Sequence, residues 1–354
     1  MPIALIIPSF TAGGAERVMA TLANHFQKTK EVQVHLIILT GGEVYYELDP
    51  NIIVHQPLFE YKKYNRFRFT LKILSFLRQT LREVKPYAAL SFGGKYNAFV
   101  LLASIGLGIN VFISERSRPG ISYGRFLDVI NPWIYRWATG IIAQTKKAEH
   151  YLLHKTKHKN IRVIGNPVKE FTVPEWPKKK VILNVGRFIS SKHQDWLVDY
   201  FNAIETADWE LWFLGDGPHW EAVKQKAKAS PKSEAILFLG NQKEIENYYA
   251  QASIFAFPST SEGFPNALGE AQRLGCACIA YDCDAGPSDL ITNGKTGFLI
   301  PLNDHQKFKE MLSELLLNSG LRATLAHQAM QSITAFNEEK IVADFMAFIY
   351  ENSN

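Results

Sequence analysis

Two glutamates separated by seven residues could together hold a ligand that carries many hydroxyl groups. Glu262 and Glu270 lie in the segment STSEGFPNALGEA, which follows a short apolar run. The pattern predicts a strand, a tight loop and a helix, with Pro265 in the first helical turn. The amides from Gly263 to Asn266 would then be free donors at a helix N-terminus. The simpler interpretation is a strand–helix turn with a solvated glutamate.

A second candidate site follows the apolar run at 181–185. Arg187 and Lys192 lie on the loop after this predicted strand, where open α/β sheets bind ligands. Two cations with little acid nearby suit a diphosphate, since arginine makes bidentate contacts and lysine acts as a point charge. A basic loop of this length can also be simply solvated.

A third candidate lies near the N-terminus, where Gly13 and Gly14 join a strand at 3–8 to an amphipathic helix. Glycines there let a ligand approach the backbone closely. The loop is not a full Gly-x-Gly-x-x-Gly, and no acid ends a clear second strand, so dinucleotide binding is unsupported. Glu16 has a simpler interpretation as a first-turn acid favoured by the helix dipole.

The elements that must position these residues alternate between strands and helices in both halves of the chain. Strands are predicted near 3–8, 33–39, 87–92, 110–114, 140–143 and 161–164, and then near 181–185, 209–214, 235–239, 253–257, 277–281 and 297–299. Such alternation predicts doubly wound parallel sheets. The proline-rich stretch 166–177 is the predicted linker between domains at 1–167 and 178–335.

Together the three segments resemble the retaining glycosyltransferases of family four, whose fold is GT-B: two Rossmann-like parallel-sheet domains facing a central cleft. The resemblance implies that the last helix, about 338–354, crosses back to the first domain. It implies catalytic roles for Glu262, Arg187 and Lys192. It implies donor binding by Gly13, Gly14, Gly263, Phe264, Pro265, Asn266 and Glu270.

A narrower resemblance connects residues 281–299, the run Gly-Gly-Ala-Glu-Arg and the run Ser114-Glu115-Arg116 to bacterial enzymes that extend polyprenyl-diphosphate-linked glycans. These include N-acetylgalactosaminyltransferases, and many capsule and O-antigen transferases share the pattern. Relatives often carry a histidine where this chain has Ser114-Glu115-Arg116. The resemblance implies acceptor binding by Glu16, Glu115 and Arg116.

No metal ion or other cofactor is predicted, because the histidines and cysteines lack the spacing of a zinc site. Asp282-Cys283-Asp284 spells Asp-x-Asp, a metal signature of another glycosyltransferase fold, but a lone match is a common accident. The three cysteines crowd between 276 and 283, which fits a reducing compartment. Without an evident signal peptide or membrane span, the protein is expected in the cytoplasm or at the inner face of the membrane.

Charge is divided unequally between the two halves of the chain. Residues 1–170 contain 23 Lys/Arg and 11 Asp/Glu, whereas residues 171–354 contain 16 and 23. A basic first half predicts an anionic partner. Nucleic acid is disfavoured because no helix-turn-helix, zinc finger or RNA-binding aromatic signature is present. A membrane surface is the favoured partner.

The stretch 61–85 is the predicted membrane-binding helix, with an apolar stripe and eight Lys/Arg. Its simpler interpretation is an ordinary helix packed on the first sheet. The expected stripe is Phe67, Leu71, Leu74, Leu77 and Leu81. The cations expected to hold a lipid diphosphate are among Arg66, Arg68, Lys72, Arg78 and Arg82.

The expected activity is transfer of a hexose or N-acetylhexosamine from a UDP-sugar to a glycan acceptor with retention. No residue is a convincing covalent nucleophile, and the resemblance implies a reaction on one face of the donor. The departing diphosphate itself would then take the acceptor's proton. A nucleotide-sugar 2-epimerase of the same fold is one alternative. A non-catalytic sugar-nucleotide binder acting as a partner subunit is another, disfavoured because both Glu262 and Glu270 are present.

Overall fold

The structure is a computed structural model that describes residues 1–59, 65–173 and 176–353. These residues form two compact units. The first contains residues 1–167 with the C-terminal residues from Glu338, and the second contains residues 168–337. Each unit is built around a parallel β-sheet of its own.

The described part of the first unit has seven strands. They are β1 Pro2–Ile7, β2 Gln33–Ile38, β3 Ile53–His55, β4 Ala88–Phe92, β5 Asn110–Ser114, β6 Gly140–Ala143 and β7 Ile161–Val163. Their order in the sheet is β3-β2-β1-β4-β5-β6-β7. The helices along this part of the chain are α1 Gly14–Lys28, α2 Arg66–Val84, α3 Gly94–Ser104, α4 Arg125–Ile134 and α5 Lys146–Thr156. The edge strand β3 was absent from the sequence prediction, because its three residues are largely exposed and form no long apolar run.

The second unit has six strands and seven helices in its described part. The strands are β8 Lys179–Val185, β9 Glu210–Leu214, β10 Ile236–Gly240, β11 Ala252–Phe257, β12 Ala277–Asp282 and β13 Phe298–Pro301. Their order is β10-β9-β8-β11-β12-β13, so β11 lies beside β8. The helices are α6 Gln194–Ala203, α7 Trp220–Lys228, α8 Glu246–Gln251, α9 Asn266–Arg273, α10 Pro287–Leu290, α11 His305–Leu317 and α12 Ser319–Ser332.

The last helix, α13 Glu338–Glu351, packs on the first unit although it follows the second in the chain. Phe348 lies 5.5 Å from Phe112 of β5 between ring centres. A Cβ atom at Gly140 would lie 2.7 Å from Cζ of Phe348, so this glycine makes room for the ring. These apolar contacts fix α13 to the sheet.

Both sheets have the architecture predicted from the alternating elements. Neighbouring strands run parallel, and strands such as β4 and β6 are buried throughout, as expected where helices cover both faces. The predicted doubly wound parallel sheets are therefore confirmed. No helix of the described residues is long and apolar enough to cross a membrane.

Candidate functional site

The loop after β8, which carries Arg187 and Lys192, is held by backbone contacts with the loop after β9. The N–H of Phe188 donates to the carbonyl oxygen of Asp216 at 2.9 Å. Gly215 has a φ of +121°, and a Cβ atom there would lie 2.1 Å from the carbonyl oxygen of Gly186. Only glycine permits this approach. The Gly-Asp-Gly sequence at 215–217 was the signal from which this support could have been predicted.

Lys192 and Glu262 form an ion pair across the loops that follow β8 and β11. The Nζ atom donates to Oε1 of Glu262, and the two side chains are 20% and 9% exposed. The ammonium also lies 5.0 Å from the centre of the Phe257 ring. The N–H of Thr260 donates to the carbonyl oxygen of Ser191 at 2.9 Å, which ties the loops together. The fold thus joins two predicted catalytic residues that are 70 positions apart.

Arg187 lies on the same loop but does not join this ion pair. Its side chain is exposed. Its guanidinium makes no hydrogen bond or ion pair with any residue that the structure describes. Since a guanidinium presents several donors in a rigid fork, it can take a phosphate or carboxylate in this position.

The N-terminus of α9 supplies backbone donors beside Glu262. The helix begins at Asn266, so Pro265 is its N-cap and not a first-turn residue as predicted. The prediction that Asn266 has a free amide is wrong, because its N–H donates to the carbonyl oxygen of Phe264 at 3.0 Å. Within the described residues, the amides of Gly263, Phe264 and Ala267 have no protein acceptor. These amides can bind an anion or a polar oxygen.

Glu270 is placed by α9 and is only 5% exposed. The hydroxyl of Tyr249 donates to Oε2 of Glu270 at 3.2 Å. Tyr249 is itself fully buried, at the end of α8. Tyr249 was not predicted, because no spacing rule connects a tyrosine before β11 to a carboxylate on the following helix.

Among the residues that the structure describes, the Asp-x-Asp sequence belongs to no cluster of potential metal ligands. Asp284 is exposed, Asp282 is partly buried, and the described residues contain no group of three potential metal ligands. Cys283 between them is buried near Glu262. Burial, reinforced by the Glu262 charge, raises the pKa of its thiol to about 12. The thiol is therefore protonated at neutral pH and unreactive.

The Gly-Gly segment at the start of α1 is held by a tyrosine that the sequence analysis also missed. The hydroxyl of Tyr46 donates to the carbonyl oxygen of Gly13 at 2.9 Å and lies 3.2 Å from its N–H. Gly13 is extended, and a Cβ atom there would lie 2.2 Å from Oε2 of Glu16. Glu16 accepts a hydrogen bond from Ser9 at 3.3 Å. Gly14 is exposed.

Glu115, at the end of β5, is surrounded by hydroxyl groups. Oε1 lies 2.6 Å from the Tyr135 hydroxyl, and Oε2 accepts from the Tyr123 hydroxyl at 3.0 Å. Burial raises the pKa of Glu115, although both tyrosines oppose this. The Tyr135 hydroxyl also lies 2.7 Å from the carbonyl oxygen of Gly94. Since it has one proton for two acceptors, a protonated Glu115 can donate to Tyr135 while Tyr135 donates to Gly94.

Arg116, the next residue, is directed into the first unit. Its guanidinium carbon lies 4.2 Å from the centre of the Phe92 ring. Its Nη atoms donate to Asn166 and, at 3.3 Å, to the Ser114 hydroxyl. Burial lowers the pKa of Arg116 to about 9, so the side chain is charged at neutral pH. Its buried Nε has no acceptor among the described residues, which leaves one donor for a ligand.

The apolar stripe of α2 differs from the predicted one. Leu77 and Leu81 are buried as expected, but Phe67 and Leu71 are 72% and 50% exposed. Their places in the core are taken by other side chains at four-residue spacing, Phe69 and Ile73. Residues 61–64 of the predicted helix lie outside the described residues.

Three predicted cations of α2, namely Arg68, Lys72 and Arg78, have two different environments. Arg68 and Lys72 are exposed beside the apolar residues of the outer face. The prediction that Arg78 is one of the lipid-binding cations is wrong. Its Nη1 donates to the carbonyl oxygens of Ala103 and Ile105, both at 2.8 Å. Arg78 therefore stabilises the C-terminal end of α3.

Comparison with known proteins identifies both halves of the chain. A family described as Glycosyltransferase Family 4 matches residues 12–170, and one described as Glycosyl transferases group 1 matches residues 179–318. The chain is 24% identical over 341 residues to the amylovoran biosynthesis glycosyltransferase AmsD of Erwinia amylovora, with 94% of each chain covered.

Two further comparisons extend over almost the whole chain. One is with the Campylobacter jejuni GalNAc-α-(1→4)-GalNAc-α-(1→3)-diNAcBac-PP-undecaprenol α-1,4-N-acetyl-D-galactosaminyltransferase, 25% identical over 369 residues, covering 100% of this chain and 99% of that protein. The other is with the crystal structure of Anabaena Alr3699/HepE in complex with UDP. Its TM-score is 0.81 at 17% identity, covering 99% and 100% of the two chains. With the two parallel sheets, this likeness confirms the GT-B fold.

Proposed function

Because the chain belongs to the family-four glycosyltransferases, with a group-one glycosyltransferase domain as its second half, we propose that it moves a hexose or N-acetylhexosamine from a UDP-sugar to a glycan acceptor. The proposed acceptor is a polyprenyl-diphosphate-linked glycan used in a bacterial surface polysaccharide or glycoprotein. The name of the Campylobacter relative supports this acceptor. The UDP complex of the Anabaena structure supports the nucleotide.

The observation that carries the proposal is the convergence at the ends of β8 and β11. The ion pair of Lys192 and Glu262 lies beside the unbonded amides at the start of α9, and Glu270 is buried on that helix. Cations and amides suit a diphosphate, whereas carboxylates suit sugar and ribose hydroxyls. This combination favours a sugar nucleotide over a simple anion.

The proposed reaction keeps the configuration of the transferred sugar. The bond between the anomeric carbon and the diphosphate oxygen breaks, and the acceptor oxygen forms its bond on the same face. The acceptor's proton passes to the departing diphosphate. Arg187, Lys192 and the α9 amides stabilise the charge that develops on the diphosphate, and no metal ion is required in this scheme. Gly13 and Gly14 are proposed to contact the donor, and Glu16, Glu115 and Arg116 the acceptor.

Release of UDP from a panel of UDP-sugars tests the proposal and identifies the donor. The expected result is slow hydrolysis of one donor to UDP and free sugar, with the free sugar first seen by NMR in the same anomeric configuration as in the donor. Glu262→Gln should abolish release, whereas Glu221→Gln, at an exposed position on α7, is the matched control. Conversion of the donor to its 2-epimer without UDP release would establish the epimerase instead. Binding without any reaction would establish a non-catalytic binder.

We further propose that the enzyme is cytoplasmic and peripheral on the inner face of the membrane, with α2 near anionic lipid. Phe67 and Leu71 are exposed beside Arg68 and Lys72, and each cation near an anionic surface contributes about 1 kcal/mol. Sedimentation with anionic vesicles should show binding that weakens with salt and with Arg68→Glu plus Lys72→Glu. Equal binding to neutral vesicles, or none to either, would contradict this docking.

A further inference from the structure

Two recesses of opposite character share a wall in the first unit. One is an apolar groove of about 650 Å³ between α2, α3 and α4. The other is a cavity of about 230 Å³ beside Glu115. Tyr123 and Leu127 line both. An apolar groove that meets a polar cavity at two side chains fits a ligand that is apolar at one end and polar at the other.

The groove continues onto an apolar surface. Ile73 of α2, Leu102 of α3 and Ile130 of α4 line it. On α4 the neighbouring Phe126 and Trp133 are 73% and 62% exposed. Large side chains exposed together in this way are unusual on a soluble surface and are typical of a binding site.

The groove also carries two cations that none of the described carboxylates neutralises. Lys95 and Arg125 line it, and neither forms an ion pair in the part of the chain that the structure describes. The acid closest in sequence to Arg125 is Asp128, which instead accepts from the Ser122 hydroxyl at 2.5 Å and the Tyr123 N–H at 2.7 Å. Two cations without a carboxylate partner among the described residues favour an anionic group on the ligand.

The cavity offers a polar atom that lacks a partner. Asn131 lines it and is only 5% exposed. Its Nδ2 donates to the carbonyl oxygen of Gly94 at 3.5 Å. Its Oδ1 accepts from no group among the described residues. Because a buried unpaired acceptor is costly, a hydroxyl donor from a ligand would satisfy it.

We infer that these two recesses bind an isoprenoid diphosphate that carries a sugar. The chain lies in the groove, the diphosphate contacts Lys95 and Arg125, and the first sugar donates a hydroxyl to Asn131 in the cavity. A diacyl phospholipid fits less well, because it would bring two chains to one groove. The inference rests on the proposed function and defines where the lipid part of its acceptor binds.

Equilibrium dialysis with labelled farnesyl diphosphate tests the inference without glycosyl transfer. Saturating UDP keeps the donor site occupied, and inorganic diphosphate and farnesol are compared as probes of each half. Wild-type protein should bind farnesyl diphosphate at least about tenfold more tightly than either fragment, since burying the chain adds to the charge contacts.

Variants test separately whether the apolar residues of the groove bind the isoprenoid chain and whether its two cations bind the diphosphate. Leu102→Asp should weaken farnesyl diphosphate about tenfold more than inorganic diphosphate, because both ligands meet the added charge but only farnesyl diphosphate loses apolar contacts. The control Leu153→Asp changes an exposed leucine of α5 outside the groove. Lys95→Ala and Arg125→Ala should weaken both diphosphates, with the exposed Lys159→Ala as their control.

The inference would be overturned if farnesyl diphosphate bound no more tightly than inorganic diphosphate. It would also fail if the Leu102→Asp variant behaved like Leu153→Asp. A phosphatidylglycerol with short acyl chains that competes as well as farnesyl diphosphate would also overturn it, in favour of a bulk lipid. Failure of the proposed function is seen separately, as absence of UDP release from every UDP-sugar.

Discussion

Glu262 and Glu115 each follow a strand of a parallel sheet, but their surroundings differ in charge. Glu262 in the second unit is paired with Lys192. Glu115 in the first unit has hydroxyl donors from Tyr123 and Tyr135, and no described cation pairs with it. A glutamate held by a lysine is part of a charge-balanced site. Glu115 has no such cation among the described residues, and burial raises its pKa although the hydroxyl donors oppose the rise, so its charge can respond to pH and to a ligand.

The two units also differ in the groups that could contact an anion. In the second unit the available groups are Arg187 and backbone amides beside an existing ion pair. In the first unit Lys95 and Arg125 are cations without a described carboxylate partner. The groups of the second unit therefore suit the proposed diphosphate, whereas the cations and apolar surface of the first unit suit the proposed amphipathic ligand.

The largest expected effect removes the cation that distinguishes the Glu262 site. Lys192→Ala should lower the rate of UDP-sugar turnover by about 10²–10³, because a preorganised charge next to the leaving group is lost. Steady-state kinetics measure this. Lys226→Ala, which removes a partly exposed lysine paired with Asp199 on α6, is the control. If Lys192→Ala changed only KM, the ion pair would serve binding and not the chemical step.

The next effect tests the tyrosines that replace a cation around Glu115. Tyr135→Phe should destabilise the protein by about 1–3 kcal/mol, because Glu115 and the Gly94 carbonyl lose the hydroxyl that both contact. Urea unfolding measures the change. Tyr151→Phe serves as the control, since Tyr151 lines the same cavity and its hydroxyl bonds to none of the described residues. Equal loss in the two variants would mean that the hydroxyl contacts are not stabilising.

A smaller effect is expected from the raised pKa of Glu115. The folded protein holds this proton more tightly than the unfolded chain does. Its stabilising contribution is therefore complete below the ordinary glutamate pKa and is lost as pH rises through the raised value. Thermal midpoints from about pH 4 to about pH 8 should show that Glu115→Gln gains stability relative to wild type as pH increases. A difference that does not change with pH would mean that the pKa is not raised.

The smallest effect concerns the buried partner of Glu270. Tyr249→Phe should weaken UDP binding by about 0.5–1.5 kcal/mol, because it removes one hydrogen bond that orients Glu270. Glu270→Ala should weaken binding more, since it removes the proposed ribose contacts themselves. Calorimetry with UDP measures both. Unchanged binding in Glu270→Ala would overturn the assignment of Glu270 to the nucleotide.

Local sequence patterns predicted most of the fold and the positions of the second-unit candidates. Apolar runs such as 181–185 and 254–257 gave strands, because buried parallel strands need continuous apolar residues. The short, exposed strand β3 was not predicted, because it is not a buried apolar run. In α2 the many apolar residues allowed two stripes, and packing on the sheet selected the one with Phe69 and Ile73.

The sequence by itself determined the alternating elements, the family and the loops on which Arg187, Lys192 and Glu262 lie, because these depend on short-range patterns. Only the tertiary structure decided that Lys192 and Glu262 pair, since this depends on β11 lying beside β8. It also decided that Tyr249 supports Glu270 and that Arg78 serves α3. Contacts between distant parts of the chain follow from strand order and helix packing, which no local spacing encodes.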